Sequence, residues 1–285
     1  MTIVAAPGGG PQAAPAALGT LRVLGRNLAA WLALLAGRPR KPSRTPGFKA
    51  LVVAHRRQAA VALLLILATM LLVDPFAPRM RAVPRVVVDI FEDVTDFGRS
   101  GWILIPAAGL ILWLAALLRP SLDRVSRAVL AAVVVRLGFV FVAVGLPGLV
   151  ATILKRWIGR LRPSELGPYV YAPLSWRSEY ASLPSGHTVT SFAALVAIGA
   201  VWPAARPVMW IYALSIALSR ILVSAHFPSD VLAGAAFGAF GAILVREWFA
   251  ARRLGFVATP DGGVRALPGP SGAQVLRALA KAVEP

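Results

Sequence analysis

Six apolar runs, at about residues 58–76, 102–118, 128–154, 187–202, 208–224 and 229–249, set the terms on which this chain can fold. About 18 or more such residues, coiled as a helix, cross the roughly 30 Å hydrocarbon core of a bilayer. Charged residues make up 15% of the chain and apolar residues 58%, where a soluble domain carries about 25% charged. The mean hydropathy is +0.71. The expected fold is all-α: a polytopic membrane protein built as a six-transmembrane-helix bundle. Ahead of the bundle, Leu21, Leu24, Leu28, Trp31, Leu32 and Leu35 recur at helical spacing between Leu18 and Ala36, with Arg22 and Arg26 elsewhere on the wheel. The uninterrupted apolar part there is too short to span, so an amphipathic helix lying in the interface is expected. A signal peptide is the rival reading, but no small-residue cleavage site is evident.

Three regions follow from this pattern. Residues 1–57 form a basic segment, with 1–17 expected to be disordered and 38–57 a proline-containing linker; 58–250 form the core; 251–285 form a tail. Six spans place both termini and the linkers 119–127 and 203–207 on one side. That side carries nineteen Lys and Arg against four acidic residues, whereas the other has about ten and eight. The positive-inside rule then puts the termini in the cytoplasm and the opposite ends of the spans outside. This asymmetry accounts for the net charge of +18, so the partner inferred is the bilayer and not nucleic acid. Cysteine is absent, histidine occurs only at positions 55, 187 and 226, and acidic residues number twelve. No disulfide, thiolate site or all-protein metal cage is expected, and no cofactor.

Within the runs, Arg136 either snorkels to the near interface or marks where a cytoplasmic helix enters the membrane. Gly145, Pro147 and Gly148 favour a kink. Gly234, Gly238 and Ala242 make a small-residue face that serves either oligomerisation or packing inside the bundle. On the outer side, Val87, Ile90, Phe91, Val94 and Phe97 oppose Asp89, Glu92, Asp93 and Asp96, the pattern of a short interfacial helix. The linker 164–184, with Tyr169, Tyr171, Trp176 and Tyr180, is either an aromatic belt or a lid.

Three constellations share that outer layer. Lys155 and Arg162 are two helical turns apart and are expected to project from one face, with Pro163 favouring a break after them. Pro184-Ser185-Gly186-His187 opens the fourth run: Ser185 can cap, Gly186 admits a ligand to the backbone, and a helix N-terminus binds phosphate. Arg220, His226 and Asp230 join the fifth and sixth runs, Pro228 suiting the first helical position. A charge inside an apolar run costs roughly 3 kcal/mol on insertion scales, which makes Arg220 a functional candidate. Asp230 is placed to accept Nδ1–H of His226, leaving Nε2 as a nucleophile. Each motif also has a plain reading: a basic flank, a capped helix start, a dipole-favoured aspartate. Taken together, three cations, two helix N-termini and two imidazoles in one layer suit phosphoryl transfer, whose charge spreads over three equatorial oxygens.

Lys155 with six residues before Arg162-Pro163, then Pro184-Ser185-Gly186-His187, then Ser219-Arg220 with five residues before His226 and three more before Asp230, resembles the tripartite signature of the type-2 phosphatidic acid phosphatase superfamily. The resemblance covers roughly 58–250. It implies a metal-independent hydrolase in which His226 forms a phosphohistidine, Asp230 orients it, and His187 protonates the leaving group and later activates water. Lys155, Arg162, Arg220, Ser185 and the Gly186 backbone would hold the phosphate. Similar bacterial membrane proteins act on phosphatidate, phosphatidylglycerol phosphate, undecaprenyl diphosphate or lipid A 1-phosphate, so a lipid phosphate of the inner membrane, met at the periplasmic face, is the expected substrate. A lipid phosphotransferase using the same intermediate and a lipid or anion transporter are the alternatives; six spans argue against a third, a vanadate-dependent haloperoxidase.

Overall fold

The computed structural model describes residues 13–37, 53–81, 83–163, 166–259 and 262–283. Of residues 1–17, expected to be disordered, 1–12 lie outside these and 13–17 instead open the helix α1; of the linker 38–57, residues 38–52 lie outside. Among the described residues the elements are, in order, α1 (Ala13–Ala36), α2 (Arg56–Leu72), a 3-10 segment (Asp74–Arg81), α3 (Arg85–Asp96), α4 (Gly101–Leu117), α5 (Arg124–Ile158), α6 (Gly186–Val201), α7 (Arg206–Leu222), α8 (Pro228–Ala251), an antiparallel hairpin of β1 (Phe256–Ala258) and β2 (Val264–Ala266), and α9 (Gly272–Val283). Each of the six apolar runs coincides with a helix. Among the described residues, four stretches are long and apolar enough to cross a membrane: Arg85–Leu117, Arg124–Ile158, Pro203–Leu222 and Pro228–Ala251. The helices α2 and α6 are shorter, at 17 and 16 residues.

Large apolar side chains point outward on α2, α4 and α7, among them Leu64, Leu72, Ile105, Trp113 and Ile211, while Arg160, Asp230 and His226 are buried. That inversion suits a bundle whose solvent is hydrocarbon. The centre is α6, which packs against α5, α7 and α8 and buries Val189, Ala193, Ala194 and Ala197. Small residues on α8 let it approach closely. A Cβ at Gly234 would lie 2.6 Å from the Ser185 carbonyl oxygen, and one at Gly238 only 2.2 Å from that of Val189. The small-residue face of the last run is therefore consumed by packing inside the bundle.

Asp123 caps α5 by accepting from the backbone N–H groups of Val125 and Ser126. The helix has 35 residues, or about 52 Å at 1.5 Å per residue, so it outreaches the bilayer core. At the end that carries Asp123, α9 packs along it, Ala278 and Ala282 joining Leu114, Leu130 and Val134 in one apolar cluster against which Trp31 of α1 rests. Asn27 of α1 donates to the Ala115 and Leu118 carbonyls at 2.8 and 3.0 Å. Arg136 donates to the Ala132 and Leu267 carbonyls at 2.8 and 2.9 Å, so its charge tethers the segment after the hairpin instead of snorkelling freely. The tail beyond residue 251 is thus a folded part of the bundle.

Adding one methyl at Gly238 must push α6 and α8 apart, whereas Gly109 on α4 has nothing within 4 Å of its Cβ position. Overpacking of this kind costs about 1–3 kcal/mol. Gly238→Ala is expected to lower the unfolding temperature in detergent, and Gly109→Ala to leave it unchanged or raise it; differential scanning of the two purified variants checks the pair.

Candidate active site

The C-terminal end of α5 stops at Gly159, four residues before Pro163. Gly159 has φ +63° and a Cβ there would lie 1.8 Å from the Ala172 carbonyl oxygen, so only glycine both adopts the left-handed cap and fits. Lys155 is accordingly on the helix and Arg162 is not. Their shared direction comes from the capped turn and not, as the spacing suggested, from two turns of helix. Past the cap, Leu161 N–H donates to Val170, Arg162 N–H to Glu179 and Ser182 N–H to the Arg160 carbonyl. The segment 160–162 is thereby threaded through the 166–182 loop, which also holds Arg156 through the Trp176 and Arg177 carbonyls.

The starts of α6 and α8 meet directly, Ser185 N–H donating to the Asp230 carbonyl at 3.0 Å. That one bond brings Pro184–His187 beside His226–Asp230. Ser185 occupies the N-cap position of α6, but its hydroxyl makes no capping bond; it accepts instead from the Thr188 hydroxyl at 3.0 Å. A Cβ on Gly186 would sit 3.0 Å from Lys155 Nζ, which locates the ammonium over that glycine. His187, half-buried, is within electrostatic reach of Arg220, His226 and Lys155. The turn between α3 and α4 covers it: a Cβ at Gly98 would come within 2.8 Å of the His187 ring.

Arg220 is buried, donating from Nη1 to the Thr95 hydroxyl at 2.6 Å, and its Nε has no partner. Ser219 donates to the same threonine at 3.0 Å, so α3, the outer amphipathic helix, anchors the arginine through its one buried residue. Arg162 reaches towards the same region, donating to the Ser178 carbonyl at 3.2 Å and the Ala225 carbonyl at 3.5 Å. All eight residues singled out in the sequence, Lys155, Arg162, Ser185, Gly186, His187, Arg220, His226 and Asp230, therefore lie at one end of the bundle.

The pairing of His226 with Asp230 is looser than expected. Nδ1 of His226 stands 3.7 Å from Asp230 Oδ2 and 3.5 Å from Ser182 Oγ, the first a charge contact too long for a hydrogen bond. Asp230 is instead held from all sides. Its Oδ2 accepts from Ser182 Oγ at 2.6 Å and from Phe227 N–H at 3.0 Å, and its Oδ1 from Arg160 Nη1 at 2.7 Å. Arg160, with no exposed surface, also donates to Ser229 Oγ and Asp74 Oδ2, each at 2.7 Å, and to the Pro168 carbonyl at 3.1 Å; Phe227 stacks 4.4 Å from the guanidinium carbon. Asp74 completes the ring by accepting from the Ser229 backbone and hydroxyl.

Sequence reasoning missed Arg160, Asp74, Ser182 and Thr95. Arg160 lay inside the quoted basic stretch without a role, and Asp74 is the lone acid closing an apolar run, a costly residue that calls for a partner. Burial weakens the Arg160 charge, but Asp230 and Asp74 outweigh it and raise the guanidinium pKa above the ordinary arginine value. Burial likewise drives the His226 imidazole down to about 4, against the opposing pull of Asp230. The ring is neutral at pH 7, with a free lone pair.

A neutral imidazole beside converging cations, in a helical membrane protein, is an arrangement that can receive an anionic ester. Similar proteins place the chain within that class. The PAP2 superfamily model matches residues 136–254. A lipid A 1-phosphatase from Rhizobium johnstonii is 34% identical over 202 residues, covering 69% of this chain and 82% of that protein. Another from Rhizobium etli is 33% identical over 184 residues, covering 63% and 78%. A crystal structure of a transmembrane PAP2-type phosphatidylglycerolphosphate phosphatase from Bacillus subtilis aligns with a TM-score of 0.47 at 19% identity, over 65% of this chain and 92% of that one. The chain belongs to the PAP2 superfamily, and it is a phosphatase of that family.

The depressed basicity of His226 has a direct readout. With the ring buried, its titration is expected near pH 4 instead of about 6.5: protonated below, neutral above. Imidazole-labelled NMR in detergent, assigned by loss of the signal in His226→Gln, checks this; a ring titrating above pH 6 contradicts it.

Proposed function

We propose that this chain hydrolyses the phosphate ester of a membrane lipid through a phosphohistidine at His226. The observation that supports it most is the neutral, buried imidazole of His226 at the end of the bundle where Lys155, Arg162, Arg220 and His187 converge. Nε2 of His226 attacks phosphorus as the bond to the lipid oxygen breaks. His187 donates its proton to that leaving oxygen, and the three equatorial oxygens meet Lys155, Arg162, Arg220 and the backbone N–H groups at the start of α6. Asp230, beside Nδ1, stabilises the positive charge that builds on the ring. Water then attacks the phosphohistidine with His187 as base, the N–P bond breaks, and inorganic phosphate leaves.

In this reading six helices cross the membrane. The short α2 and α6 do so together with the segments flanking them, residues 58–250 form the catalytic core, and 1–57 and 251–285 lie on the cytoplasmic side. The charge asymmetry supports that orientation in a bacterial inner membrane, with the site opening to the periplasm. For the substrate, the two rhizobial relatives, matched over 82% and 78% of their length, favour the 1-phosphate of lipid A.

The test is phosphate release by the detergent-solubilised chain from a panel of lipid A, phosphatidate, phosphatidylglycerol phosphate and undecaprenyl diphosphate. Lipid A is expected to be the best substrate, losing the phosphate at position 1. His226→Ala and His187→Ala are each expected to lose at least about 10³-fold in kcat. Full activity in either variant overturns the assigned roles, and preference for another lipid overturns the substrate.

A further inference from the structure

Arg160 contacts neither the cations nor His187 by any bond described above, yet it is the most heavily bonded side chain near the site. It receives Asp74 from the segment after α2, Ser229 and Asp230 from the start of α8, the Pro168 carbonyl from the loop, and the Phe227 ring. Its guanidinium takes one oxygen of Asp230 while Ser182 and the Phe227 N–H take the other. The carboxylate facing His226 is thus held in orientation by a partner on its far side. It is also half-neutralised by a cation that is itself shared with Asp74.

We propose that Arg160 is a positioning residue for the transfer step: it fixes the Asp230 carboxylate and limits the charge that carboxylate presents to His226, with Asp74 setting how much of Arg160 is left for it. The inference rests on His226 being the nucleophile. Two effects are separable. The fork of the guanidinium aims the carboxylate, which a lysine ammonium, a point charge, cannot reproduce. The charge of Arg160 opposes Asp230 and so keeps the imidazole weakly basic, which a lysine retains and a glutamine does not. The other charged groups facing His226 are Arg220 from α7, Arg162 from the segment after α5 and His187 from α6; Lys155 from α5 faces Asp230. None of these is altered by substitution at position 160 or 74.

The experiment measures kcat/KM against pH for phosphate release from lipid A by the full chain in detergent, for wild type, Arg160→Gln, Arg160→Lys and Asp74→Asn. The acid limb of the wild type is expected near pH 4. In Arg160→Gln the unopposed Asp230 is expected to move it upward by about one pH unit, with kcat down roughly 10- to 100-fold. In Arg160→Lys kcat falls similarly while the limb stays. In Asp74→Asn, which keeps the Arg160–Asp230 pair and so remains informative if the Arg160 variants do not fold, the limb moves downward. A limb at the wild-type position in Arg160→Gln, or in Asp74→Asn where only that variant folds, overturns the proposal and leaves Arg160 a packing residue. Quenching each protein in alkaline denaturant, in which a phosphohistidine survives, with substrate labelled in its phosphate separates this from the underlying mechanism: absence of a labelled histidine in wild type removes the nucleophile reading itself, whereas a labelled His226 with unmoved limbs removes only the role of Arg160.

Discussion

A charge sealed from water has to be matched where it stands, and Arg160 is matched by two carboxylates, a hydroxyl and a carbonyl. Breaking a buried ion pair by removing one partner costs about 3–5 kcal/mol, because the remaining charge is stranded. The network therefore does more than add stability. Asp74 follows α2, Arg160 follows α5, Ser182 precedes α6, and Ser229 and Asp230 begin α8, so satisfying this guanidinium together with the Asp230 carboxylate it holds brings four helix ends together. Of the eight candidate site residues, all but Arg220, which comes from α7, stand at those ends.

The mounting is stiff. The first turn of α6 is tied to the first turn of α8 by the Ser185–Asp230 backbone bond, and below that the two helices touch backbone to backbone through Gly234 and Gly238. Arg220 is held from the opposite side by Thr95, which makes the amphipathic helix α3 part of what fixes the candidate site. Donors held in place before the ester arrives need no reorganisation as charge develops on it.

Much of this was legible in the residues. Apolar runs located six helices to within a few positions, because long stretches without charge have little alternative in a membrane. The three motifs located both histidines and the cations, because an imidazole or arginine beside an apolar run needs a reason to be there. What could not be read was the wiring between them. The break after Lys155 was assigned to Pro163, yet the chain turns at Gly159, since the deciding factor was the Ala172 carbonyl brought against it from thirteen residues away. Asp230 was paired with His226 from their i, i+4 spacing, although the stronger claim on that carboxylate comes from Arg160 and Ser182, whose approach depends on the path of the loop. Residues 251–285 were read only as a tail outside the core, because the short apolar face of α9 carries meaning only beside Leu130 and Val134.

That last contact bears on how the molecule is made. The apolar cluster at the Asp123 end draws on α1, α4 and α5 and closes with Ala278 and Ala282 of α9. Synthesis proceeds from the N-terminus, so every residue of the catalytic end is made before the α9 face that closes this cluster. The helix α9 is thus the latch on a bundle whose catalytic parts all precede it in the chain.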